Sequence, residues 1–117
     1  MSYQELTHHI SKNLKHMHKE SPDLMQSFHA LSQNALKEGV LDPKTKEFIA
    51  LAIGVANRCD GCIGFHTKAL VKLGTSFEEL TEVLGVAVLM GGGPSLMFAA
   101  NAVEAFHEFT ALQQPTE

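Results

Sequence analysis

What the sequence lacks narrows its function first. Nine Lys and Arg stand against thirteen Asp and Glu, a formal net charge of -4, and no basic stripe interleaved with aromatic residues occurs. Nucleic acid is therefore not an expected partner. No run approaches the roughly 18 apolar residues that a spanning helix needs. The most apolar stretch, Val83 to Met90, is cut short by Gly91, Gly92, Gly93 and Pro94, so no membrane association is expected. The start, MSYQELTHHISK, has no basic segment followed by an apolar one, which argues against an export signal and for a cytoplasmic location. Tryptophan is absent, tyrosine occurs once, and there are only two cysteines. In a reducing compartment a Cys pair is more often catalytic, redox-sensing or metal-binding than a structural staple.

What is present is enough to fold. With 44% hydrophobic and 19% charged residues, the chain is too apolar to remain disordered. At 117 residues it has room for a single domain, residues 1–117, because two cores would each be too small to stabilise themselves. The apolar spacing is helical throughout, and no stretch demands a strand, so an all-α fold of about six helices is expected. Leu6, Ile10, Leu14 and Met17 share one face of a first helix over about Tyr3–Lys19. Ser21 and Pro22 open a second, with Gly39 as its stop near Glu38 and a buried stripe of Leu24, Phe28, Leu31 and Ala35, Leu36 at its edge.

Asp42-Pro43 repeats that start signal for a third helix, which carries Lys46, Glu47 and the apolar run Phe48–Ala56 and ends near Asn57-Arg58. A fourth runs from Asp60 or Gly61 to Leu73, before Gly74. Ser76 and Glu79 form a capping box for a fifth, to about Met90. Pro94 opens the last, to about Leu112, with QQPTE as a frayed end. Phe48–Ala56 and Val83–Met90 are apolar on nearly every side, which points to a second subunit covering what one chain cannot. A homo-oligomer is expected.

The chemistry is concentrated in Cys59-Asp60-Gly61-Cys62-Ile63-Gly64-Phe65-His66. Two thiols separated by two residues at a helix start can close a disulfide, and the free N–H groups and positive dipole end there favour a thiolate. His66 lies four residues after Cys62, on the same helical face. Glu47, twelve residues before Cys59, falls beside His66 if the two helices pack antiparallel across their short connection. A Glu–His–Cys relay follows, in which the carboxylate orients the imidazole, the imidazole takes a thiol proton, and the thiolate attacks a peroxide oxygen or a disulfide sulfur. Two alternatives stay open: a zinc site formed by Cys59, Cys62, His66 and Glu47, and two inert core cysteines. Covalent haem attachment would need His directly after the second Cys, where Ile63 stands.

The other histidines carry less chemistry. His8, His9, His16 and His18 lie in the first helix and read as a solvated face, and His29 and His107 as packing or surface residues. The five methionines are spaced as core fillers, and Lys68 and Lys72 complement the dipole at the end of the cysteine helix.

The arrangement Glu47-x11-Cys59-x2-Cys62-x3-His66, with the later segment ELTEVLGVAVLMGGGPSLMFAANAVEAF, resembles the AhpD-like alkylhydroperoxidase branch of the carboxymuconolactone decarboxylase family. The resemblance covers about Leu41–Phe109. It implies a helical subunit assembling into trimers or hexamers, and reduction of hydroperoxides by a dithiol/disulfide cycle that uses neither metal nor haem. By analogy Cys62 attacks the peroxide, Cys59 resolves it, and His66 and Glu47 form the proton relay. The resemblance also names a lipoylated or other dithiol protein as the reductant. Gly61 departs from the pattern, since the best-known members have a histidine immediately before the second cysteine. The chain is also closer in length to the decarboxylase branch. Lactone decarboxylation therefore remains as an alternative, as does a non-enzymatic zinc-binding or redox-sensing protein.

Overall fold

The computed structural model describes residues 1–113 and contains six helices: α1 (Tyr3–Glu20), α2 (Pro22–Leu36), α3 (Pro43–Ala56), α4 (Asp60–Lys72), α5 (Phe77–Gly91) and α6 (Gly93–Gln113). No strand occurs among the described residues, as the helical spacing predicts. The last helix passes its expected end by one residue, and the rest of the QQPTE segment, 114–117, lies outside the described residues.

Helix starts follow the capping residues. Ser2 Oγ accepts from the backbone N–H of Glu5 at 3.0 Å, and Asp42 Oδ1 accepts from that of Thr45 at 2.7 Å. The Ser76–Glu79 capping box is complete, each side chain accepting from the other's backbone N–H. Glu79 also accepts from Lys44 Nζ at 2.8 Å, so one carboxylate caps α5 and ties it to the start of α3. Ser21 departs from expectation. Its side chain makes no cap hydrogen bond to α2, while its backbone N–H closes α1 onto Met17 O at 2.7 Å. The end of α2 also differs: the helix stops at Leu36 rather than near Glu38. Lys37 turns extended there, and its carbonyl is taken by Lys46 Nζ at 2.7 Å.

The two helices that matter most end in the same way. At the end of α4 the N–H groups of Gly74 and Thr75 bond to Val71 O and Leu70 O, a Schellman motif with Gly74 at φ 78°. At the end of α3 the N–H groups of Arg58 and Cys59 bond to Val55 O and Gly54 O, the same motif, with Arg58 in the left-handed position at φ 57°. A Cβ there is disfavoured, yet Arg58 is the sole non-glycine residue at positive φ among those described.

Helices α3 to α6 pack around one core, with α4 held between α3 and α6 and α5 closing the far side. Leu51, Val55, Ile63, Leu70 and Leu80 are wholly shielded from solvent, each contributing about 1.5–3 kcal/mol by its removal from water. The start of α1 lies on α4 and α6, where the Gln4 N–H donates to Glu108 at 2.8 Å.

The outer hairpin is different. Ser11–Glu20 are all exposed, and α2 has no buried residue. The expected stripe of Leu24, Phe28 and Leu31 is therefore real as a pattern but is not covered by this chain. It leaves those side chains between 61% and 65% exposed. The apolar helices show the same division: Leu84 and Ala87 are buried, whereas Val86, Leu89 and Met90 are 58%, 80% and 78% exposed. Ile49 and Ile53 on α3 also face out. The chain accordingly presents 7750 Å² of accessible surface, against about 6300 Å² for a compact monomer of its mass.

Two consequences are measurable. Arg58→Gly relieves the left-handed Cβ and raises stability by about 1 kcal/mol, whereas the β-branched Arg58→Val lowers it by a similar amount; denaturant midpoints in both variants check this. Glu79, held below its ordinary 4.5 first by Lys44 and then by the Ser76 N–H, contributes stability that is present above that value and lost as pH falls below it. The stability difference between wild type and Glu79→Gln should therefore shrink on acidification through that range.

Candidate redox site

The site sits where α3 turns into α4. The Schellman turn at Asn57–Cys59 reverses the chain with no spare residue, so the helices run back antiparallel against one another. Gly54 permits their closest approach: a Cβ on it would lie 3.0 Å from Cys62 Cβ. From that contact, seven residues back along α3 and four forward along α4 bring Glu47 and His66 together. His66 Nδ1 donates to Glu47 Oε2 at 2.6 Å. Glu47 is buried, at 7% exposure, and His66 is half-buried. Fixing Nδ1 as the donor leaves Nε2 as the basic nitrogen.

Cys59 and Cys62 are joined by a disulfide with their Cα atoms 5.2 Å apart. Cys59 lies just outside α4 as its N-cap, and its Sγ accepts from the Cys62 N–H at 3.1 Å. The helix start thus points a donor and its positive dipole end at the Cys59 sulfur. Cys62 lies in the first turn, one helical turn before His66, at the i, i+4 spacing that places side chains side by side. Both cysteines are half-buried. The four residues singled out by the sequence thus form two bonded pairs on the facing helices α3 and α4, the disulfide at the turn and the Glu47–His66 pair further along both helices. In this oxidised form neither sulfur is a thiolate ligand. No group of three or more His, Cys, Asp and Glu side chains suited to a metal ion occurs among the described residues.

The structure adds residues that spacing did not reveal. Tyr3 Oη donates to Asp60 Oδ1 at 2.7 Å, and Asn101 Nδ2 reaches the same oxygen at 3.3 Å, so α1 and α6 both hold the first turn of α4, between the cysteines. Burial pushes the Tyr3 phenol well above its ordinary value, and the bond to Asp60 pushes it further, which keeps it a neutral donor. The rest of this end of α1 lies against the glycines of α4. A Cβ on Gly64 would meet Thr7 Cγ2 at 2.7 Å, and one on Gly61 would meet Ile10 Cδ1 at 2.9 Å. Gly61 is where the resembled peroxidases carry histidine; here the Ile10 side chain occupies that space. Outside the site, His107 stacks on Phe77 with ring centroids 5.2 Å apart, a packing role as expected, and His9 pairs with Asn13 on the exposed face of α1.

Known proteins resemble this chain in sequence and in fold. The family model described as "Carboxymuconolactone decarboxylase family" matches residues 22–105. An uncharacterized protein of Haemophilus influenzae is 36% identical over 104 residues, covering 89% of this chain and 92% of its own. One of Cupriavidus necator is 33% identical over 102 residues, covering 87% and 90%. Among solved structures, an apo carboxymuconolactone decarboxylase family protein from Legionella pneumophila superimposes with a TM-score of 0.90 at 56% identity, covering 92% of this chain and 96% of its own. A family protein from Thermotoga maritima, with a suggested involvement in antioxidative response, superimposes at a TM-score of 0.82 and 28% identity, with 92% of each chain covered.

Because the site depends on the approach at Gly54, Gly54→Val should cost about 1–3 kcal/mol through overpacking against Cys62. It should also slow closure of the disulfide after reduction, measured by thiol counting during air or diamide reoxidation.

Proposed function

Since the chain belongs to the carboxymuconolactone decarboxylase family, we propose that it is an AhpD-like thiol peroxidase or disulfide reductase that cycles between a Cys59/Cys62 dithiol and the disulfide. The observation that carries this reading is the presence of two bonded pairs on the same two helices: a disulfide between half-buried cysteines, and a buried carboxylate orienting an imidazole one helical turn beyond Cys62. The antioxidative involvement suggested for the Thermotoga relative points the same way.

The cycle assigns each group one task. His66, oriented and charge-stabilised by Glu47, takes the proton of the Cys62 thiol. The Cys62 thiolate attacks the hydroperoxide, forming an S–O bond as the O–O bond breaks, and the departing alkoxide takes up a proton to leave as an alcohol. Cys59 then attacks the Cys62 sulfenic sulfur, expelling water and closing the disulfide. Two electrons from a dithiol, of which a lipoylated protein is one candidate, reopen it. During that step the Cys62 N–H and the dipole of α4 stabilise the charge left on Cys59. The cycle calls for a reducing compartment, in keeping with a cytoplasmic location.

The exposed apolar faces of α2, α3 and α5 support assembly into a homo-oligomer, with trimer or hexamer as the proposed forms. The surface in excess of a compact monomer is larger than the roughly 800 Å² per partner that a standard protein interface buries.

Stopped-flow addition of an alkyl hydroperoxide to reduced protein, followed by thiol counting, tests the reading. Wild type should lose two thiols per chain, and Cys59→Ser should stop at a Cys62 sulfenic acid. Glu47→Gln and His66→Gln should slow thiol loss about 10²-fold, the scale of lost proton transfer. Thiols that survive peroxide unchanged in wild type would refute the peroxidase.

A further inference from the structure

Arg58 is the single arginine of the chain, and it occupies a position that the backbone reserves for glycine. The matching turn at the end of α4 uses Gly74, whereas Arg58 takes the same left-handed conformation with a Cβ. The side chain is exposed and immediately precedes the disulfide. It makes no salt bridge among the described residues. Asp60, the acid nearest in sequence, is engaged by Tyr3 and Asn101 instead. An exposed guanidinium with no salt-bridge partner among the described residues thus stands one residue before Cys59, with the Asp60 carboxylate held two residues on by neutral donors, on a chain whose formal net charge is -4. The Arg58 and Cys59 Cα atoms lie about 3.8 Å apart, a separation smaller than the ~10 Å over which charges act in 0.1 M salt.

We propose that Arg58 is the anion-recognition residue of this site, selecting a thiol reductant that carries a carboxylate close to its sulfur. The inference rests on the redox reading above and names the chemistry of the electron donor. The donor thiolate attacks Cys62 Sγ, an S–S bond to the donor forms, and the Cys59–Cys62 bond breaks to leave a thiolate on Cys59. A second donor thiol attacks that mixed disulfide and departs as the oxidised donor. Two electrons pass to the protein, Cys62 leaves as a thiolate, and the protein thiolates regain protons from His66 and solvent. The guanidinium, with its planar fork of donors, is suited to hold the carboxylate during both attacks.

The test uses the oxidised full chain with mercaptoacetate, 2-mercaptoethanol and cysteamine as anionic, neutral and cationic probes, and reads the rate at which protein thiols appear. Each variant is compared through its ratio of anionic to neutral rate, so differences in the intrinsic reactivity of the probes cancel. Arg58→Gly should lower that ratio about 5-fold at low salt, the scale of one screened charge contact. Arg58→Glu should lower it further and raise the cysteamine ratio, while Arg58→Lys, which keeps the charge but loses the fork, should fall between wild type and Arg58→Gly. Added salt should erase the difference between wild type and Arg58→Gly. A ratio unchanged in Arg58→Gly and Arg58→Glu would overturn the role of Arg58 while leaving the dithiol cycle standing. A wild-type disulfide that none of the three thiols opens would overturn both.

Discussion

The contact between Gly54 and Cys62 is the constraint on which the rest of the site depends. Without a side chain at residue 54, α4 settles directly onto the backbone side of α3, where a Cβ would lie 3.0 Å from that of Cys62. Two helices locked at one point and reversed by a Schellman turn have little freedom left in register. The pairing of Glu47 with His66 then follows from helix geometry. The glycines on the opposite side of α4, Gly61 and Gly64, let α1 approach in the same way. The cysteine helix is thus gripped from both flanks through positions that have no side chain. The proposed redox cycle would gain from this, because exchange between two sulfurs requires that they return to the same separation after each turnover.

Much of this was legible in the sequence, and the reasons are local. Capping residues such as Asp42 and the Ser76–Glu79 box act on N–H groups two or three residues away, so spacing alone locates them. The Glu47–His66 pair spans a single turn between two helices, which makes its separation of 19 residues a matter of counting. The Tyr3–Asp60 and Asn101–Asp60 bonds span 57 and 41 residues and depend on how α1 and α6 pack over α4; no local signal encodes that. The α2 stripe failed for another reason. Helical spacing of Leu24, Phe28 and Leu31 shows that one face is apolar but not what covers it. The premature end of α2 depends on Lys46, nine residues on, capturing the Lys37 carbonyl. Arg58 carried a signal that went unread, as a lone arginine in a turn where the helix-stop pattern favours glycine.

The electrostatics of the two sulfurs are unequal, and the inequality has a structural origin. Cys59 is the N-cap, so its sulfur meets an N–H of the helix start and the positive dipole end, both of which favour charge. Cys62 is inside the helix, one turn before His66, whose Nδ1 is engaged by Glu47. On the proposed cycle, one sulfur is thus placed to bear charge and the other to give up its proton. In a Cys-x-x-Cys at a helix start this division needs no extra residues, since it follows from one cysteine capping the helix and the other entering it.

This division also explains why the turn can tolerate strain. A glycine at position 58 would close the same Schellman motif more comfortably, as Gly74 does at the end of α4. The left-handed arginine is maintained by two backbone hydrogen bonds, to Val55 O and Gly54 O, which fix the turn whatever the side chain. The backbone therefore absorbs a conformational penalty of order 1 kcal/mol without moving the sulfurs. In return it carries a permanent positive charge on an exposed side chain one residue before Cys59, and on the proposed reading the attackers of that disulfide are anionic thiolates. On the proposed redox reading, the placement of the sulfurs and the charge near them are thus separable: Gly54 and the helix register fix the first, and Arg58 at the strained turn supplies the second.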